Sequence, residues 1–317
     1  LLCAEDSEAL TLCEGRDGGI WIGTDTGAYC CVQGVCTRYG SGDGMANDRV
    51  SAILEDSQGV MWFGSNAGGL TRYDGSKFDT FSTVDGLPHD DVSGLSEDSS
   101  GVLWVATRGG VSRYNGSTFV STTRRDGLMS TSVKQTFQDS VGRTWAPTLG
   151  AGVHVMRGRD VQVVTTEDGL PSNHVTAVLE DGDGRLLFAT YRGICRYTPR
   201  IGPGPIVAIV SVDDGSAHDP RQRVTVPQTA TGVSIRFRAV SPRTSRVRYR
   251  YRLNGHDDDW AHTWDDVARY VGLPKGSYTF RVEAFDRDLC RSPEPATVDI
   301  DITGDPRDQL IAGLEET

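Results

Sequence analysis

Four tryptophans give the chain its period. Trp21, Trp62, Trp104 and Trp145 stand 41, 42 and 41 residues apart, and 42 residues further on Leu187 and Phe188 take the same place. The stretch from Val50 to Tyr73 shows what recurs: an apolar opening at Val50 and Ile53, the turn Glu55-Asp56-Ser57-Gln58-Gly59, the core Met61-Trp62-Phe63-Gly64-Ser65, then Gly69-Leu70-Thr71-Arg72-Tyr73. Linking segments repeat in register as Asp43-Gly44-Met45, Asp85-Gly86-Leu87, Asp126-Gly127-Leu128 and Asp168-Gly169-Leu170. A period just above 40 with several short β-like runs per copy is that of a propeller blade. Five copies are present.

Each copy divides into four runs, of which Val50–Glu55, Val60–Ser65, Gly69–Asp74 and Lys77–Ser82 are the pattern. The turn before each tryptophan opens on an aspartate, whose carboxylate caps backbone N–H groups, and closes on a glycine suited to left-handed backbone. Asp181-Gly182-Asp183-Gly184 also resembles part of a calcium loop but lacks the closing glutamate, so a hairpin is the expectation. Asp74-Gly75-Ser76 and Asn115-Gly116-Ser117 are tight hairpins; the sequon at Asn115 needs no sugar to explain it. The tryptophans lie mid-strand among apolar neighbours, as inter-blade packing requires. The fifth copy stops after its third run at Tyr197, so either Leu1 to Ala4 supplies a closing edge or, as we expect, the copies are an arc of a larger ring.

The 38 glycines among 317 residues suit turn-dense antiparallel sheet. The formal net charge of −11 lies mostly in the first 200 residues, with 25 acidic against 17 basic side chains, and neither half suits nucleic acid. Seven cysteines without a C-x-x-C pair argue against a disulfide framework or a zinc site, and Cys30 and Cys31 are expected to be inert strand residues. The chain begins at Leu1, so its natural N-terminus is expected upstream; no run is long and apolar enough to span a bilayer.

The copies resemble the two-component regulator propeller repeat. The resemblance rests on Trp21-Ile22-Gly23-Thr24, Trp62-Phe63-Gly64-Ser65 and Trp104-Val105-Ala106-Thr107, followed by Leu70-Thr71-Arg72-Tyr73, Val111-Ser112-Arg113-Tyr114 and Ile194-Cys195-Arg196-Tyr197. It covers residues 8 to 197. The fourth copy departs at Trp145-Ala146-Pro147-Thr148, where the proline must sit at a strand end or edge, and the fifth replaces its tryptophan by Leu187.

After the proline-rich segment Thr198 to Pro205, seven strands are expected at 206–212, 223–226, 233–239, 246–253, 268–271, 277–285 and 296–302, the count and spacing of an Ig-like sandwich. Tyr249-Arg250-Tyr251-Arg252-Leu253-Asn254-Gly255, Asp259-Trp260, Ala268-Arg269-Tyr270 and Leu273-Pro274-Lys275-Gly276-Ser277-Tyr278 resemble the triple-tyrosine domain that follows such propellers in bacterial sensors. Its signature tyrosines would be Tyr251, Tyr270 and Tyr278. Arg246, Arg248, Arg250 and Arg252 alternate along one strand, placing four guanidinium groups on one face. Two readings stand: a solvated face paired with residues such as Glu283, or a dimerisation surface. From Asp305 to Thr317 a helix is expected, with Asp305 as N-cap and Pro306 in its first turn.

The sequence thus predicts an all-β chain: propeller repeats over residues 1–200, an Ig-like domain over 201–304 and the start of a helical linker to an output domain over 305–317. It shows no nucleophile elbow, zinc-protease motif, P-loop or dinucleotide fingerprint, and the six histidines have no metal-ligand spacing, so no catalytic residue, metal or cofactor is assigned. The connectors between blades and the loops between second and third strands emerge at one end of the propeller, where the copies differ most. There Arg49, His89, Arg108, Asn173, Tyr191 and Arg192 are the candidate contacts for a ligand. The resemblance implies a sensor binding an oligosaccharide or another small ligand, dimeric through the Ig-like domain and signalling to an output domain in the same parent chain. It implies a periplasmic location, although the cysteine usage and the lack of a following membrane span leave the cytoplasm open. Two alternatives come from other classes. A polysaccharide or lactone lyase would draw its base from His89 with Asp90 and Asp91, or from Tyr191 with His174; a protein-interaction scaffold would need neither.

Overall fold

The computed structural model describes residues 7–228, 232–244 and 246–304. The chain divides at Pro199 and Arg200 into two compact units. The expected helix of the last thirteen residues and the closing edge at Leu1 to Ala4 lie outside the described residues.

The first unit is a succession of five antiparallel sheets, four of four strands and a fifth of three. They run Ala9–Glu14, Ile20–Thr24, Ala28–Val32, Val35–Tyr39; then Val50–Glu55, Met61–Ser65, Gly69–Tyr73, Phe78–Phe81; then Val92–Glu97, Leu103–Thr107, Gly110–Tyr114, Phe119–Thr122; then Phe137–Gln138, Thr144–Pro147, Val153–Arg157, Asp160–Val164; and last Val175–Glu180, Leu186–Thr190, Gly193–Tyr197. Strands are ordered within each blade as in the chain, so the first is the inner one.

The tryptophans fill the wedges between blades. Trp21, Trp62, Trp104 and Trp145 are all buried. Trp21 lies 5.4 Å from Phe63 of the next blade, Trp62 lies 5.6 Å from Tyr114, and Trp145 lies 5.8 Å from Phe188. In the three middle blades the turn aspartate does more than cap backbone amides: the indole Nε1–H of Trp62 donates to Asp56 at 2.7 Å, that of Trp104 to Asp98 and that of Trp145 to Asp139, both at 2.8 Å. A buried ring N–H needs such a partner. A second repeat fastens blade to blade. The last residue of an inner strand accepts from the preceding blade's turn: Glu97 from Ser57 N–H at 2.7 Å, Gln138 from Ser99 N–H at 2.9 Å, and Glu180 from Ser140 N–H at 2.8 Å.

The Asp-Gly linking motif is a 3₁₀ turn. Asp85 accepts from Ser82 N–H at 2.8 Å, Gly86 follows at φ 107°, a conformation glycine adopts without strain, and Leu87 is buried behind it. Asp43, Asp126 and Asp168 repeat the arrangement. In the tight hairpins Asp74 accepts from the amides of Ser76 and Lys77, which holds its carboxyl down to about 2, and Asn115 accepts equivalently from Ser117 and Thr118.

One expectation is corrected. Cys31 and Cys36 form a disulfide, because they face each other as directly paired residues across the hairpin of Ala28–Val32 and Val35–Tyr39. A count of cysteines along a sequence is blind to that cross-strand register. Among the described residues Cys13, Cys30, Cys195 and Cys290 are free thiols, and burial raises the pKa of Cys30, Cys195 and Cys290.

The second unit packs two sheets around Ile235, Phe237, Leu253, Phe280, Val282 and Ile300. One sheet has four strands in the order Ala217–His218, Ile206–Asp213, Val233–Val240, Val267–Tyr270; the other has five in the order Val224–Pro227, Ala296–Thr303, Gly276–Phe285, Arg248–Asn254, Ala261–Thr263. All seven expected strands are present, with two short additions at Ala217–His218 and Ala261–Thr263. The arginine face is paired as expected, Arg250 binding Glu283 at 2.6 Å, and is partly open to solvent, with Arg246 exposed and Arg250 and Arg252 half-buried. Arg248 is buried, and the indole rings of Trp264 and Trp260 lie 4.6 Å from the guanidinium of Arg246 and 4.7 Å from that of Arg250.

Candidate functional site

The two ends of the first unit are used differently. At the hairpin end each turn carboxylate is spent on its own backbone amides and, in the three middle blades, on the indole behind it. At the other end, where connectors meet the loops between second and third strands, a cavity of about 290 Å³ opens between the second, third and fourth blades. Asn66, Asp91, Arg108, Ser132, Lys134 and Leu149 line it, together with Val92 and Ser93 of the third blade's inner strand and Val133.

The backbone builds this mouth before any side chain enters it. Three successive connector positions have distinct duties. At the first, Asn47, His89, Ser130 and Ser172 each accept from the amide two residues on, at 2.9, 2.9, 3.3 and 3.1 Å. At the second, Asp48, Asp90 and Asn173 accept from Ser41, Thr83 and Thr166 N–H at 2.7, 2.7 and 2.8 Å, fixing the start of each 3₁₀ turn. At the third stand Arg49, Asp91, Ser132 and His174. Two expected ligand contacts are therefore employed in the scaffold: His89 through Nδ1, and Asn173 through its side-chain oxygen.

The other four lie at or next to the third position. Arg108 is 72% exposed and sits 3.6 Å from Asp91, whose carboxylate also accepts from Ala67 N–H at 2.7 Å. This places a guanidinium over the cavity, tethered but open to solvent. Arg49 is half-buried, its carbonyl accepting from Asn66 N–H. Tyr191 is exposed and stacks on His174 at 5.2 Å, with the rings 24° from parallel. Arg192 is exposed next to it. A backbone bridge joins Leu149 in the cavity wall to His174, and Tyr191 N–H donates to His174, so the aromatic pair continues from the cavity rim. Sequence reasoning missed Asp91 as Arg108's partner and missed Lys134. Lys134 was legible, since it stands in the register of Ser51, Ser93 and Thr176.

In the second unit the tyrosines are core residues. Tyr270 donates to Asp257 at 2.7 Å, and burial followed by that carboxylate raises its pKa; Tyr278 donates to the Pro274 carbonyl at 2.9 Å; Tyr251 packs edge-on to Tyr270 at 6.4 Å. A cavity of about 480 Å³ is walled by Arg236, Arg238, Arg246 and Trp264, with Arg236 held by Asp266 at 3.4 Å.

These elements match known families. The model of the two component regulator propeller matches residues 5–26, 44–67, 86–109 and 169–192, and that of the Y_Y_Y domain matches residues 243–303. No curated protein matches the chain by sequence. Among solved structures, the extracellular domain of a hybrid two-component system from B. thetaiotaomicron superposes with a TM-score of 0.60 at 20% identity, over 93% of this chain and 44% of that one. A second such domain from the same organism superposes with a TM-score of 0.53 at 15% identity, over 95% of this chain and 58% of that one. Both likenesses are of fold, and the chain spans about half the length of each. Virginiamycin B lyase from Staphylococcus aureus follows with a TM-score of 0.49 at 13% identity, covering 92% of this chain and 95% of that one, too loose a superposition to argue chemistry from. The chain carries two-component regulator propeller repeats followed by a Y_Y_Y domain, and in that architecture it matches two-component sensor proteins.

Proposed function

We propose that the chain is the ligand-sensing region of a bacterial signal-transduction protein, acting outside the cytoplasm and without catalysis of its own. The hairpin end also holds a cavity, of about 440 Å³ beside Trp62, Arg72 and Asp79, so the observation that carries the reading is the set of side chains at the connector end. Hairpin turns are closed by their own carboxylates, whereas the connector end presents Arg108 over an open cavity and the exposed Tyr191–His174 stack beside it. A guanidinium for hydroxyl or acidic oxygens and an exposed ring for a pyranose face are what an oligosaccharide needs. Arg49 and Arg192 extend the same rim. The Cys31–Cys36 disulfide supports an oxidising compartment.

The Ig-like unit then serves as the relay to an output domain of the parent chain. Its four-stranded sheet leaves Ile206, Val210 and Val240 exposed among Arg236 and Arg238, which supports pairing with a second copy across that face. Binding would be felt as a change between the two copies.

The experiment is a calorimetric titration of the purified chain with neutral and acidic oligosaccharides. Arg108→Ala and Arg192→Ala are each expected to weaken a bound saccharide at least tenfold with melting temperature unchanged. Retention of full affinity in both variants would move the site elsewhere, and turnover of the saccharide would favour the lyase alternative.

A further inference from the structure

We infer that the fourth blade has given up its regular inner strand to present Lys134 as a cationic contact, so that the cavity beside it takes an acidic group the size of a single sugar ring. This deepens the ligand-sensing reading and rests on it.

Three departures from the repeat converge on one place. In the second, third and fifth blades the second residue of the inner strand is Ser51, Ser93 or Thr176. Each hydroxyl donates to the carbonyl of the neighbouring strand: Ser51 to Gly64 at 3.2 Å, Ser93 to Ala106 at 3.3 Å, Thr176 to Ala189 at 3.3 Å. Ser51 also donates to Val92 in the inner strand of the third blade and Ser93 to Val133 of the fourth, tying blade to blade. Lys134 holds this position in the fourth blade. The next residue is small in those three blades, as Ala52, Gly94 and Ala177, paired with Gly64, Ala106 and Ala189; the first blade has Leu10 and Thr11 here, with Thr11 paired to Gly23. In the fourth blade it is Gln135, and Pro147 stands in the register of Gly64, Ala106 and Ala189.

The packing explains why these positions are normally small. A Cβ on Gly64 would meet Val92 at 2.5 Å, and one on Gly94 would meet the Lys134 carbonyl at 2.8 Å. Scaffold demands therefore favour Ser-Ala opposite Gly or Ala, and Lys-Gln opposite Pro answers a different demand.

The three changes work together. Pro147 has no N–H to offer the inner strand, so regular pairing begins only at Phe137. The backbone N–H of Lys134 takes the Pro147 carbonyl at 2.9 Å, the acceptor that hydroxyls use in the other blades. Gln135 supplies the missing tie to the next blade, its Oε1 accepting from Val178 N–H at 3.1 Å. Gln135 thereby ties the fourth blade to the fifth, as the Ser51 and Ser93 hydroxyls tie the blades before it. Lys134 lines the cavity with Arg108, Ser132 and Asn66.

The charge on the wall decides the ligand class. Lys134 and Arg108 line the cavity with the single carboxylate of Asp91, an excess of one positive charge in a unit whose charged side chains are mostly acidic. A compact ammonium beside a planar guanidinium suits the oxygens of a carboxylate or a sulfate ester. A volume of about 290 Å³ lies at the small end of ligand sites, room for one ring. Uronate and sugar sulfate share this chemistry.

The test is calorimetry of the chain with glucuronate, glucose 6-sulfate and glucose, on wild type, Lys134→Ser and Lys134→Arg. Serine is the residue of the second and third blades at this position, so the variant keeps the fold, which its melting temperature checks. We expect one or both acidic probes to bind, Lys134→Ser to weaken them at least tenfold, Lys134→Arg to retain them, and glucose to bind far more weakly. Preference for glucuronate or for the sulfate identifies the source of the acid. Equal affinity in wild type and Lys134→Ser, or no binding of either acidic probe at millimolar concentration, overturns the inference. A neutral oligosaccharide that binds through Arg108 and ignores Lys134→Ser would overturn it while leaving the sensing reading intact.

Discussion

Asp139 shows how much a single turn carboxylate can hold. It is buried, accepts from the amides of Val141 and Arg143 at 3.1 and 2.8 Å, and binds both the Arg143 guanidinium at 2.7 Å and the Trp145 indole at 2.8 Å. Arg143 is itself buried, so removing its partner leaves an uncompensated charge. Asp139→Ala is expected to cost about 3–5 kcal/mol of stability, read from urea denaturation of the chain. The aspartate and the tryptophan were each legible in the sequence, one as a turn former and the other as a blade filler. Their bond was not, because six residues of separation become contact only once the hairpin register is known. The same holds for His89 and Asn173. Variation among copies marked them as candidates for specificity, yet a histidine, an asparagine or a serine can accept one backbone amide equally well, so a changing residue can perform an unchanged task.

Among elements, the seams between blades follow a rule that the repeat contains but that the tryptophans overshadow. Glu55, Glu97, Gln138 and Glu180 recur with spacings of 42, 41 and 42, each closing an inner strand. Glu97 receives both the amide and the hydroxyl of Ser57, at 2.7 and 2.6 Å. Glu97→Ala is expected to lower stability by about 1–2 kcal/mol and to broaden the unfolding transition, since neighbour contacts carry the cooperativity of a repeat array; circular dichroism against urea reads both effects. Pro147 was correctly placed by its missing donor at a strand end, Thr144–Pro147. Its influence on the strand beside it could not be seen, because that depends on which residues it faces.

For the whole molecule, the period, the Asp-Gly connectors and the tyrosine strand were enough to specify sheets, order and the three-stranded fifth blade, because each rests on local alternation and turn chemistry. The site was legible only in outline. Topology points to the connector end and to Arg108 as candidates, but the cavity wall there joins residues from three blades, which no single repeat reveals. One consequence concerns the fourth blade, whose inner strand is reduced to Phe137–Gln138. Amides of residues 131–136, outside any regular ladder, are expected to exchange with deuterium faster than their counterparts in the second and third blades. The segment that opens most readily would then be the one that carries the recognition lysine, and a ligand there would be paid in lost backbone freedom. Occupancy would be reported as slowed exchange on both sides of the seam, a signal in motion that requires no displacement of either blade.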